Sequence, residues 1–343
     1  MTRMGSLDIV IDGSFGSTGK GLLSGYIADN TDYDFACTNA APNAGHTHYH
    51  RDQKIVAHHL SIVGIVQRVP TYIGPGSIID VDMLEKEIQD YDMHDLVVVH
   101  PRAAVVADED IKLEHNISSG AARIASTQKG VGAALARKVA RTASLAGDNK
   151  RLIEMGVIQP SSPSSELRHG MTGILEIPQG LGLGINSGYS YPYCTSREIS
   201  VAQGMADVQV HPSFIGEIHM SMRSFPIRVG NIVGDDGKEI GYSGPFWSDS
   251  KEVTWAEIGV EPELTTVTKR VRRVATFSEL EFRHALQEIQ PTTVFMNFMQ
   301  YVPKNERRKF IDRIKALIKL DCPDPVRILW GWGPRIKDVG YEP

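Results

Sequence analysis

The stretch LDIVIDGSFGSTGKGLLSGYIADN, Leu7 to Asn30, reads as strand, glycine-rich turn and helix. Leu7, Ile9, Val10 and Ile11 form a short apolar run bounded by a turn signal, and Leu22, Leu23, Tyr26 and Ile27 return at helical spacing. Between them Gly13, Gly16, Gly19 and Gly21 let the backbone pass close to a ligand, in front of helix amides and the positive end of the helix dipole. That makes an anion cradle with Lys20 at its rim. It is not a Walker A loop. Counting back from Gly19-Lys20, the first glycine of that pattern falls on Ser14, and the magnesium-binding Ser or Thr falls on Gly21.

The surrounding chain has 343 residues, 41% hydrophobic and 22% charged, enough mass for a large core in one elaborated domain or two. A net charge of -5 and a pI near 6.2 argue against bulk nucleic-acid or polybasic membrane binding and favour small-molecule partners. Cys37, Cys194 and Cys322 are few, odd in number and scattered, so they suggest neither a disulfide framework nor a zinc site. With no secretory leader pattern and no apolar run of membrane-spanning length, the expected location is the cytoplasm.

Downstream, Asn43, Gly45, His46, Thr47, His48 and His50 come together. The alternating histidines could share a strand face, but no nearby Cys, Asp or Glu completes a metal set, and hydrogen-bonded histidines are the plainer expectation. IVAHHLSIVG and TYIGPGSIID read as strand segments, MLEKEIQDY as a helix and DLVVVHPRAAVV as paired buried strands. Residues 116–141 place small and polar residues before a basic helix bearing Arg137, Lys138 and Arg141, a phosphate loop or simply a solvated face. Residues 155–170 read as an exposed loop. Gln179 follows a strand and a proline, which puts its amide at a strand end, where open α/β sheets gather ligands. FPIRVGN and GYSGPFW flank a turn and read as a hairpin. Arg270 and Arg272, two apart on an extended segment, would face the same way as a fork for a carboxylate. Ser278 and Glu281 form a capping box ahead of a helix, and the strand TTVFMNFM follows. The mixture is α/β.

In order and over nearly the whole chain, these segments resemble the adenylosuccinate synthetase family. GSTGKG (16–21) is similar to the family's GDEGKG, Asn43 to Thr47 to its NAGHT, STQKGVG and KVAR to its TTGRGIG and KVAR, and Gln179-Gly180 with YPYCTS to its QG and YPYVTS. RVG, GPF, KRVRR and Gly333-Pro334 follow in the family's order. The resemblance implies a single domain over 1–343: a central, mostly parallel sheet flanked by helices, with a small antiparallel hairpin subregion. It implies a ligase in which the purine O6 attacks the γ-phosphate of a nucleoside triphosphate and the amine of L-aspartate then displaces that phosphate. Ser17, His46 and Gln179 would occupy the catalytic positions. Gly16, Gly19, Lys20, Gly21, Gly45, His46, Thr47, Asn297, Gln300, Gly333 and Pro334 would hold the donor nucleotide and its phosphates. The acceptor would meet Ser17, Asn43, Thr127, Gln179, Thr195, Arg270 and, from a second copy in a homodimer, Arg141. Aspartate would meet Thr268, Arg270 and Arg272, and Mg2+ would lie at Ser17 and Gly45.

Two departures sharpen the expectation. Ser17 stands where the family has its catalytic aspartate, and a serine hydroxyl is too weak an acid–base group to replace it directly. Being shorter, it leaves room beside N1 for a 2-amino group and offers an oxygen to it, which suits guanine. At MNFMQ the family's guanine-reading aspartate is missing. Asn297, Met299 and Gln300 stand there, and the two amides can both give and accept as adenine requires, so ATP is the expected donor. Both departures resemble the phage branch of the family, in which aspartate is joined to dGMP. An ordinary IMP- and GTP-using member and an inactive nucleotide-binding regulator are the alternatives; the base that takes the N1 proton is open, with Asp12 and water as candidates.

Overall fold

The computed structural model describes residues 4–51, 53–116, 120–234, 236–265 and 270–341. Its frame is a nine-stranded sheet built from β1 (Ser6–Asp12), β2 (Phe35–Thr38), β3 (Thr71–Ile73), β4 (Val97–Val99), β5 (Thr172–Gly180), β6 (Ile215–Arg223), β7 (Thr293–Asn297), β8 (Arg327–Gly331) and β9 (Val339–Gly340). The order across the sheet is β9-β8-β7-β6-β1-β5-β2-β3-β4. Every pairing is parallel except β8 with β9.

Parallel strands are covered on both faces, so β1 is apolar almost throughout and its side chains alternate between two cores. Leu7, Ile9 and Ile11 pack with Phe282, Leu286, Ile311 and Ile314 of the helices Glu279–Ile289 and Arg307–Asp321. Val10 points the other way, to Leu23 and Ile27 of α1 (Lys20–Asn30) and Val63 of α2 (Ile62–Gln67). Because the strands run in parallel, the loops after β1, β2, β5, β6, β7 and β8 all leave from the same edge, the carboxyl edge at which such sheets bind ligands.

Several local readings change. IVAHHLSIVG is not all strand: Gln53–Ala57 pairs with His46–His50 as a hairpin, and Ser61 then caps α2 through its side chain. The two apolar runs of DLVVVHPRAAVV do not pair with each other. Val97–Val99 joins β3 and Ala104–Val105 joins Ile78–Ile79, each in parallel. Ser164–Arg168 is a helical turn inside the stretch read as loop. The hairpin is confined to Ile232–Val233 with Glu239–Gly241, while Ile227–Arg228 pairs with Arg273–Val274. The capping box is half made. Ser278 accepts from Glu281 N–H, but the Glu281 carboxyl turns away to accept from Ser14 Oγ at 2.6 Å.

Candidate active site

At the carboxyl edge of the sheet lies a cavity of about 1000 Å³. Of the described residues that the resemblance gives a catalytic or binding position, all line it except Arg141 and Arg270. Thr268 lies outside the described residues.

Its floor is the loop after β1, and the organiser of that loop is Asp12. Fully buried, Asp12 accepts from Ser14 N–H (2.8 Å), Gly16 N–H (3.4 Å), Thr18 N–H (3.4 Å), Thr18 Oγ1 (2.6 Å) and Lys20 Nζ (3.3 Å). A carboxylate with this many donors folds the backbone around itself. The turn it enforces puts Gly16, Ser17 and Gly19 at positive φ (90°, 56° and 92°), and Ser17, the non-glycine among them, stands exposed at the tip. Gly19 could not carry a side chain on a second count, since a Cβ there would lie 2.1 Å from the Asn297 amide. Lys20 Nζ reaches the Gln179 carbonyl as well, at 3.3 Å, so β1 and β5 share its charge. Asp12 does not line the cavity. It is the anchor of the phosphate loop and is withdrawn as a candidate base.

The second wall is the His46–His50 hairpin, held against α1 so closely that a Cβ on Gly21 would meet the Thr47 backbone at 2.3 Å. The alternating histidines divide. His46 faces the cavity, its Nδ1 3.3 Å from Glu176 Oε2 and its Nε2 buried without a protein partner. His48 is packed on Gly25, and burial pushes its pKa down to about 4. Among the described residues no three His, Cys, Asp or Glu gather as a metal set. Glu176 also accepts from Ser61 Oγ (2.5 Å) and Val63 N–H (3.0 Å). Burial weighs most and opposes its ionisation, but His46 and the other donors outweigh it and hold the carboxyl below its usual range.

Beyond them lie Asn43, Thr127 and Thr195, brought from three separate loops, and Gln179 at the carboxyl end of β5. Asn43 Oδ1 is buried with no partner. The second helix start that read as a phosphate loop is already occupied by a side chain: Glu114 accepts from Gly130 N–H and Gly132 N–H, both at 2.8 Å, and from Ala133 N–H at 3.3 Å. Arg141, exposed at φ 65°, stands outside the cavity of its own chain.

On the far wall the fork read from Arg270 and Arg272 opens in two directions. Arg272 lines the cavity, donates from Nε to the Leu264 carbonyl at 3.2 Å and is lowered to about 10, by burial first and by Arg223 against the pull of Glu263. Arg270 instead donates to the carbonyls of Ala125 (3.0 Å) and Ser126 (3.3 Å), bracing the loop that carries Thr127. Behind Arg272 sits an ion pair that the sequence did not announce: Arg223, fully buried, meets Glu263 at 2.6 and 3.3 Å and donates to the Ser17 carbonyl at 3.0 Å. Tyr301 O–H adds a bond to Glu263 at 3.1 Å. The Asn297 amide gives to Thr18 O (3.1 Å) and accepts from Phe298 N–H (2.8 Å). It props the loop after β1 while still lining the cavity; Met299 is buried in the core, and Gln300 stands exposed at the rim.

An anion loop, a buried carboxylate–imidazole pair and a basic far wall around one cavity describe a nucleotide-dependent enzyme of phosphoryl activation. Residues 9–155 match the family model described as adenylosuccinate synthetase. The chain is 35% identical to the N6-succino-2-amino-2'-deoxyadenylate synthase of Salmonella phage PMBT28, covering 97% of each. The adenylosuccinate synthetase of Archaeoglobus fulgidus is 24% identical, at 96% of each. Among solved structures, the succinoaminodeoxyadenylate synthetase of cyanophage S-2L, bound to dGMP and to dATP as an energy donor, superposes with a TM-score of 0.86 at 34% identity over 99% of this chain and 96% of the other. The chain belongs to the adenylosuccinate synthetase family of carbon–nitrogen ligases, and it is more similar to these phage members than to the archaeal one.

Proposed function

We propose that the protein joins L-aspartate to dGMP, using ATP or its deoxy counterpart, through a 6-phosphorylated purine. The observation that carries the choice of acceptor is Ser17: a short hydroxyl at the exposed tip of the phosphate loop, where an aspartate would otherwise fill the space beside the base. Full-length similarity to a relative solved with dGMP and dATP supports both nucleotides.

In this reading Lys20 and the loop amides hold the donor phosphates, neutralising charge that spreads over the phosphoryl oxygens during transfer. Gln179 orients the base, Asn43, Thr127 and Thr195 hold the monophosphate, and Arg272 grips aspartate. The oxygen donors at hand, the Ser17 hydroxyl and the Gly45 backbone, are too few for an all-protein Mg2+ cage and fit an ion carried mainly by nucleotide phosphates. When bound, Mg2+ would supply further neutralisation of the transferring group. Arg141 would serve the acceptor of a second copy. No helix among the described residues is long and apolar enough to cross a membrane, and the work fits the cytoplasm of an infected host. Release of phosphate with dGMP, ATP and aspartate together, and its loss when aspartate is omitted, tests the coupled reaction.

A further inference from the structure

A nucleoside monophosphate and its diphosphate differ only by one further phosphate, so a site that separates them must do so where that second phosphate would lie. In this cavity that end holds Thr127 and Thr195, with the start of the helix Val131–Val139 beside them. Amides at a helix start, with the positive end of the dipole behind them, are ordinary donors to phosphate. Here they are taken. Glu114 reaches over from the helix Asp108–His115, accepting from Gly130 N–H on Oε2 and from Gly132 and Ala133 N–H on Oε1. Although buried, Glu114 still lines the cavity, as does Gly132. A Cβ on Gly132 would lie 3.2 Å from Glu114 Oε1 and 3.5 Å from Ser196 Cβ, so the carboxylate sits close to the Thr195 loop as well. Its seat is held from both sides. Asp110, one turn earlier, pairs with Arg137 at 2.5 and 2.7 Å, and Gln128 Nε2 donates to the Glu114 carbonyl at 3.1 Å.

Resting on the acceptor placement proposed above, we infer that Glu114 is a specificity-determining residue that limits the acceptor to nucleoside monophosphates. Its carboxylate stands in for a second phosphate: it fills the amides such a group would use and sets a fixed negative charge beside them. A diphosphate has to expel Glu114 from three donors or bring like charge against it, and either course weakens binding. A monophosphate, ending at Asn43, Thr127 and Thr195, meets neither penalty. The donor end of the cavity is built the other way. Its organising carboxylate, Asp12, is enclosed by the loop and does not line the cavity, which leaves Lys20 and open amides for a triphosphate. The two ends thereby sort nucleotides of the same pool by phosphate number.

The test is the ratio of dissociation constants for dGDP and dGMP, read by titration calorimetry with the donor site saturated by a non-hydrolysable ATP analogue and Mg2+. In the wild type dGDP should bind about a hundredfold or more weaker than dGMP. Glu114→Ala frees the amides and removes the charge, and should shrink that ratio by about tenfold or more. A residue that only caps the helix and steadies Thr127 would, when removed, weaken both ligands together and leave the ratio unchanged. That result in folded Glu114→Ala, or equal binding of dGDP and dGMP by the wild type, overturns the inference. Should Glu114→Ala fail to fold, Glu114→Gln decides by the same ratio: it keeps the volume, loses the charge and turns an NH2 toward an amide donor, so the ratio should shrink by several-fold, and an unchanged ratio overturns the inference. If the wild type takes IMP instead of dGMP, the ratio is measured with IMP and IDP and the same outcomes apply, so a wrong acceptor and a wrong role for Glu114 are told apart.

Discussion

The phosphate loop and the far wall of the cavity are both dense in charge, yet they are held in opposite ways. In the loop, Asp12 binds five groups from four of the next eight residues, so the cradle is assembled from within one short segment. On the far wall, Arg223, Glu263 and Tyr301 come from three distant segments, and Arg223 and Glu263 are each other's charge partner. A local network survives changes elsewhere in the chain; a dispersed one ties the site to the packing of the whole sheet edge. The two meet at Ser17, whose carbonyl accepts from Arg223.

Breaking the loop should cost most. Asp12→Asn replaces one acceptor oxygen with a donor facing other donors and leaves Lys20 without its buried partner. With two or three charge-assisted bonds at roughly 1.5–3 kcal/mol each, kcat/KM for the triphosphate should fall by about a thousandfold, as steady-state kinetics would show. Glu263→Gln attacks the far wall. Removing one partner of a buried pair costs about 3–5 kcal/mol, and the Glu263 side chain is 22% exposed, so a loss near the lower figure is expected in denaturant unfolding. Both variants should impair Ser17 chemistry if the two networks really meet there; normal turnover in folded Glu263→Gln would separate them.

A finer cut distinguishes the two arginines. Arg272→Leu should raise the KM for aspartate about ten- to a hundredfold and leave the nucleotide constants nearly unchanged, following the worth of a charged hydrogen bond. Arg270→Leu, which loses its hold on Ala125 and Ser126, should chiefly raise the KM for dGMP. The reverse assignment would restore the fork.

The smallest effect concerns Glu281, beneath the loop. Burial first, and then Asp12, pushes its carboxyl up to about 8 against the bond from Ser14. With the folded value raised above the unfolded one, the folded state binds more protons between pH 4.5 and about 8. Stability from this group is therefore full at the acid end and declines as pH rises through that window. Glu281→Gln keeps an acceptor for Ser14 and should flatten the decline in thermal unfolding across the window; an unchanged slope would assign it to other groups.

The loop and the histidine wall were legible in the sequence because each rests on near neighbours: apolar alternation in β1, glycines at the turn, and Lys20 at the start of α1; the mostly parallel direction of the sheet came only through the family resemblance. Glu176 left a fainter trace, a lone carboxylate in the buried run ILEI, and Asp12 another at the end of LDIVID. Their roles depend on partners more than a hundred residues away or on the folded loop itself, which spacing cannot show. Arg223 and Glu263 gave no local signal at all. Asn297 shows the same limit: its amide suited a base, and spacing could not show that folding also brings it under Gly19, where it bonds Thr18 and Phe298.

The proposed choice of acceptor rests on Ser17 at the tip of the loop, where a 2-aminopurine would fit. Turnover of dGMP and IMP, compared at saturating ATP and aspartate, tests this most directly. Faster turnover of dGMP is predicted, and faster turnover of IMP would contradict it.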